Sequence, residues 1–225
     1  MGFNERTHAY ISARFYIRLT ESFGERGRAA FIHAVQCYAE RRGRRMARRA
    51  LRDGAELSYA VFMQYGELAF TDEVERTESE TVSLAPDYER RITVCPWHAQ
   101  FRDMDCAEAG DAYCSHVDEA LVRGFSPDIV FQAPVNLNRG GYCLHRVVGA
   151  NYASMPAEPP RTEYRRDFAY HCGHLFRAYR DAVAAIFGAA GEENARSVLE
   201  DFAARYGADM AAELERQSRA DFEAI

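Results

Sequence analysis

Six cysteines occur in the 225 residues, Cys37, Cys95, Cys106, Cys114, Cys143 and Cys172, with no Cys-x-x-Cys pair among them. Their spacing is not that of a zinc ribbon or finger, so in a reducing compartment they read as thiols. Four fall between Cys95 and Cys143. Cys95-Pro96-Trp97-His98 places a thiol where a strand hands over to a helix. There the unpaired backbone N–H groups and the helix dipole favour the thiolate, the nucleophilic form. His98, three residues on, is a candidate proton acceptor, and a buried structural cysteine is the bland alternative. Cys114 and Asp118 stand at i and i+4, hence on one helix face, where a carboxylate beside a thiol can act as general base or hold a substrate ammonium. Asp118 also reads as an ordinary solvated helix acid, and His116 on the same helix as a surface residue. Cys143 and His145 alternate onto the same face of a strand after the Gly140-Gly141 turn. Arg139 in that turn is positioned to hold a carboxylate bidentately, with Trp97, Tyr113 and His145 as further substrate contacts. No cofactor is required by this set; a zinc ion on Cys95, Cys114, Cys143 and a histidine is the alternative. His171 and His174, one helical turn apart, are a second pair of that kind, although helix-surface histidines are commoner.

Composition narrows the chemistry. All 28 basic residues are arginine, which excludes a lysine Schiff base, a phosphate-loop lysine and a lysine general base. The formal charge of −6 argues against nucleic acid as a partner. No apolar run approaches the roughly 20 residues of a membrane helix, and the N-terminus lacks a basic-then-apolar signal, so a cytoplasmic protein is expected. Arg41, Arg42, Arg44, Arg45, Arg48, Arg49 and Arg52 crowd one segment, read as a solvated face or a homodimer contact, with phosphate or nucleic-acid binding as the minority reading.

The elements that must carry these residues follow from periodicity. Apolar residues recur at 3,4 spacing from about His8 to Met63 and again from about Tyr164 to Ala224, marking helical ends. Between them, Glu73–Leu84 and Tyr88–Val94 flank Ala85-Pro86-Asp87 as one β-hairpin. Ile129–Leu137 and Tyr142–Val148 flank Asn138-Arg139-Gly140-Gly141 as a second. Asp111–Gly124 reads as a helix stopped by its glycine, and Ala150–Arg161 as a linker. The expected architecture is a single α+β domain: N-terminal helices in 1–70, a strand-rich catalytic centre in 71–150 and C-terminal helices in 162–225. A central antiparallel sheet of about four strands is flanked by the helical hairpins. The two ends align at an offset of 164, Phe23-Gly24-x-x-Gly27 on Phe187-Gly188-x-x-Gly191 and Gly43 on Gly207, so 162–225 is a candidate repeat of 8–50.

Tyr88 through Trp97, Cys106, Tyr113-Cys114-x-x-x-Asp118, Gly124-Phe125-Ser126-Pro127 and Gly140-Gly141-Tyr142-Cys143, with Arg41 to Met46 and Tyr65-Gly66-Glu67, resemble the L-2-amino-thiazoline-4-carboxylic acid hydrolase family. The resemblance covers about Phe23 to Val148. It implies hydrolytic opening of a cyclic amidine, a thiazoline, to an N-carbamoyl amino acid, with Cys95, Cys114, Asp118 and Cys143 at the family's positions. Cys143-Leu144-His145 stands where members tend to show Cys-Asp-Phe, and Trp97-His98 where they often show Ala-Glu, both beside the expected site. The reading is a cysteine-assisted hydrolase acting on a non-peptide C–N bond of a small heterocyclic substrate. Another heterocycle-processing enzyme of specialised metabolism, a metal-dependent enzyme and a cysteine-lined sensor module are the competing readings.

Overall fold

Asn4 accepts hydrogen bonds from the backbone N–H groups of Arg6 and Thr7, and the Thr7 hydroxyl accepts in return from Asn4 N at 2.6 Å, which starts the first helix. The computed structural model describes residues 2–155 and 159–225. Residues 156–158 of the expected linker lie outside them. Helices α1 (Glu5–Phe23) and α2 (Glu25–Arg52) form the first hairpin, followed by the short α3 (Tyr59–Gln64). Strands β1 (Glu78–Ser83) and β2 (Tyr88–Val94) form the expected hairpin. Then come α4 (Pro96–Asp103), α5 (Ala107–Phe125), β3 (Phe131–Val135), β4 (Cys143–Val147), α6 (Phe168–Phe187), α7 (Ala189–Tyr206) and α8 (Ala208–Gln217). The architecture is α+β, with one four-stranded antiparallel sheet in the order β1-β2-β4-β3. No helix of the described residues is long and apolar enough to cross a membrane.

The main core is helical: Ile11, Phe15 and Leu19 of α1, Phe31, Val35 and Tyr38 of α2, and Leu175, Tyr179 and Val183 of α6 are buried together. The two terminal hairpins share a local geometry. Gly24 (φ 57°, ψ −133°) and Gly188 (φ 59°, ψ −134°) each break the chain in a conformation that residues with a Cβ avoid. Phe23 and Phe187 stack on each other at 3.9 Å between ring centroids. The third aligned glycine pair does different work. Gly207 (φ 95°) separates α7 from α8, whereas Gly43 sits mid-helix, where a Cβ would meet the Leu121 carbonyl oxygen at 2.1 Å. Gly124, expected as a helix stop, lies inside the last turn of α5 and presses against the backbone of Glu40. Both glycines let α2 and α5 approach backbone to backbone.

The arginine-rich segment departs from its expected exposure. Arg42, Arg45 and Arg49 form a buried stripe on α2 and converge on Glu67, which is 0% exposed. A buried carboxylate needs opposite charge, and the i, i+3, i+7 spacing supplies it on one face. His171 and His174, expected at a helix surface, are likewise buried on α6; His171 Nε2 lies 3.0 Å from the Glu67 carbonyl oxygen.

Candidate active site

The central strands β2 and β4 run antiparallel, so the C-terminal end of one lies beside the N-terminal end of the other, with Ile92 opposite Cys143. Cys95 follows β2 after its last residue, Val94, and takes the N-cap position of α4, with Pro96 in the first turn where its missing N–H costs nothing. Cys143 opens β4, and His145 follows on the same face. Helix α5 presents Cys114, Val117, Asp118 and Leu121 one turn apart. All these side chains line one cavity of about 630 Å³, together with Tyr113, Trp97 and Asn136. Its outer wall is the segment 68–77, including Phe70 and Thr71. Buried Glu5 anchors that wall, accepting from Thr71 N at 2.8 Å and Thr71 Oγ1 at 2.6 Å.

The polar contacts inside the cavity are specific. His145 Nε2 is 3.3 Å from Asp118 Oδ2. Cys143 Sγ accepts from Leu137 N at 3.3 Å, and Cys114 Sγ from Asn138 Nδ2 at 3.5 Å. Trp97 Nε1 donates to His8 Nδ1 at 3.1 Å, and His8 Nε2 lies 2.9 Å from the Tyr38 hydroxyl. Burial raises the pKa of all three thiols. For Cys95 the backbone N–H groups of His98 and Trp97 oppose that rise. For Cys114 the neighbouring Cys95, Cys143 and Asp118 add to it. Cys143 is pushed to about 11 by burial, partly offset by the Leu137 N–H. At neutral pH these are therefore thiols, and a nucleophile among them requires a base. Among the described residues, no group of three or more His, Cys, Asp or Glu side chains is arranged to hold a metal ion.

Cys95, Cys114, Asp118, Cys143, Trp97, Tyr113 and His145 thus come together, and two expected site residues do not. His98 does not line the cavity; its Nδ1 lies 3.1 Å from Asn138 Oδ1. The helix turn that aims its backbone N–H at Cys95 carries its ring toward the β3–β4 turn. Its link to the thiols is indirect, through the Asn138 amide that also donates to Cys114. Arg139 is 62% exposed and outside the cavity, paired with Asp111 Oδ1 at 2.5 Å. Asp111 also accepts from Asn136 Nδ2 at 2.9 Å, so this group shapes the turn before β4. The sequence reading missed Asn136, Asn138, Glu5 and Arg42. Arg42 was visible only as one of seven crowded arginines, and the asparagines as turn residues.

An α+β chain with thiols, a carboxylate and a histidine gathered where two central strands end has the layout of a small-molecule enzyme. A model of the L-2-amino-thiazoline-4-carboxylic acid hydrolase family matches residues 4–146, and the chain belongs to that family. The family is one of hydrolases by its description, and the matched span contains every cavity residue named above. No curated protein and no solved structure matches the chain.

Proposed function

We propose that the protein opens a small nitrogen heterocycle, a cyclic amidine such as a 2-amino-2-thiazoline, by thiol-assisted hydrolysis with Cys95 as the nucleophile. The observation that carries this reading is the convergence of Cys95, Cys114 and Cys143 with the Asp118–His145 pair in one cavity. Cys95 is favoured because the amides of His98 and Trp97 help it bear negative charge, whereas Cys114 is enclosed by the other two sulfurs and Asp118. His145, oriented by Asp118, takes the Cys95 proton as the sulfur attacks the amidine carbon. The Sγ–C bond forms, and the ring bond at that carbon breaks: C–S in a thiazoline, C–N in an all-nitrogen ring. The departing atom takes a proton. Water then adds to the same carbon, the Sγ–C bond breaks, and the thiol returns with its proton. In a thiazoline carboxylate the product is an N-carbamoyl amino acid bearing a free thiol.

The test is a panel of cyclic amidines assayed with Cys95→Ala, Cys114→Ala and Cys143→Ala. Loss of at least 1000-fold in kcat/KM, on the order expected for removing a nucleophile, is expected for Cys95→Ala, with smaller losses for the others. Full activity in all three variants would end the thiol mechanism.

A further inference from the structure

Beneath the cavity, three guanidinium groups share the one carboxylate of Glu67, and the sharing is unequal. Arg45 takes both oxygens, Nε to Oε1 at 2.6 Å and Nη2 to Oε2 at 2.7 Å, and Arg49 Nη1 adds a bond to Oε1 at 2.7 Å. Arg42 is left with a single long contact, Nε to Oε2 at 3.5 Å. Its two terminal nitrogens have no hydrogen-bond partner among the described residues, although the side chain is 7% exposed and lines the cavity. Buried polar groups are almost always satisfied, and the Arg42 terminal nitrogens are not among the fully buried atoms without a partner, as expected of nitrogens that face the cavity. Among the described residues Arg42 forms an ion pair with Glu67 alone, and Glu75, on the 68–77 wall of the same cavity, forms none with it. His8, His171 and His174 are uncharged, since burial first, and the arginine charge after it, lowers their pKa. Glu5 is engaged by Thr71 and Asp118 by His145.

The other cations on the cavity wall are occupied. Arg90 donates Nε and Nη2 to Ser79 Oγ at 2.9 and 2.7 Å, and Arg76 pairs with Asp72 at 2.5 Å on the exposed rim. Close enough to Arg42 to feel its charge, Tyr113 is 5% exposed, and its hydroxyl makes no hydrogen bond to a described residue and is not among the fully buried atoms without a partner. Tyr113 lines the same cavity as Cys114 and the other thiols. The Tyr38 ring, 5.6 Å from the Arg42 guanidinium carbon, holds that side chain in place.

We infer that Arg42 and the Tyr113 hydroxyl together receive a carboxylate of the substrate, Arg42 through its two free terminal nitrogens. The assignment deepens the hydrolase reading and rests on it for the identity of the reacting end. The family description already names a carboxylic acid; the assignment places the group that receives it on the cavity floor, in place of Arg139 in the surface turn. A planar fork of this kind matches a carboxylate, and a neutral amide in its place forfeits the charge-assisted bonds.

The test separates binding from turnover. Cys95→Ala protein is titrated calorimetrically with 2-amino-2-thiazoline-4-carboxylate and with its primary carboxamide. The acid is expected to bind at least about tenfold more tightly, the scale of one to two charge-assisted hydrogen bonds. Adding Arg42→Gln or Tyr113→Phe should bring the acid-to-amide ratio toward one, and Arg42→Lys should restore part of it. Circular dichroism and thermal unfolding check each variant; Tyr113→Phe removes a single oxygen and carries the test if Arg42→Gln does not fold. Equal affinities in the Cys95→Ala protein, no binding of the acid, or a ratio that survives both substitutions would overturn the assignment. Failure of the hydrolase reading looks different: wild-type protein would open neither compound while the binding preference stayed intact.

Discussion

Replacing Glu67 by Gln keeps the shape of the buried side chain and removes the one carboxylate that three arginines share. Burial by itself would raise the Glu67 pKa; the hydrogen bonds and charge of Arg45, then the charge of Arg42, bring it down to about 2 from an ordinary 4.5. At about 1.4 kcal/mol per unit, that depression corresponds to roughly 3 kcal/mol of stability at neutral pH. Removing one partner of a buried ion pair costs about 3–5 kcal/mol, so the two routes agree in size. The pH dependence has a definite sign. Because the folded pKa lies below the unfolded one, the contribution is complete above about pH 4.5 and is lost as the pH falls toward 2. Urea denaturation of wild type and Glu67→Gln at a series of pH values checks this. A gap of about 3 kcal/mol or more at pH 7 should narrow through that window. A gap within about 0.5 kcal/mol at pH 7, or one that does not change with pH, would refute the reasoning.

Further outcomes follow from the same structure. Burial depresses the pKa of His171 to about 3, so its share of stability is present above about pH 6.5 and is lost as the pH falls; His171→Gln should flatten the stability curve between pH 6.5 and 4, as read by thermal unfolding. Gly43→Ala would put a Cβ 2.1 Å from the Leu121 carbonyl oxygen and 2.6 Å from Phe125 N, both backbone atoms, so α2 and α5 must separate at a cost of about 1–3 kcal/mol in a denaturation assay. With the pKa of Cys95, Cys114 and Cys143 raised, iodoacetamide labelling of these thiols followed by mass spectrometry should be slow at pH 7 and rise about tenfold per pH unit toward pH 9. A pH-independent, rapid reaction at any of the three would contradict the assigned protonation.

Much of the frame was legible in the sequence because its signals are local. Turn residues between β-rich runs announce both hairpins, and Cys114 with Asp118 needs only helical spacing to share a face. The strand order, which sets Cys95 beside Cys143, depends on which hairpin edges pair, and no local pattern encodes that. The errors lie where a distant group overrides composition. Arginine at i, i+3 and i+7 on a polar helix reads as solvated until Glu67 is known to be buried against it. His98 and Arg139 sit close in sequence to thiols, but Asn138 and Asp111 draw them away. Glycine spacing located the equivalent turns at Gly24 and Gly188, yet spacing alone could not tell a helix break at Gly207 from a close helix crossing at Gly43.

The central claim is that the Cys95 sulfur bonds to the substrate. Intact-protein mass spectrometry of acid-quenched turnover with 2-amino-2-thiazoline-4-carboxylate, followed by peptide mapping, addresses it most directly. The account predicts an adduct of one substrate mass on the peptide carrying Cys95, absent from Cys95→Ala, which should also be inactive. Turnover by Cys95→Ala at the wild-type rate, with no adduct in either protein, would contradict it.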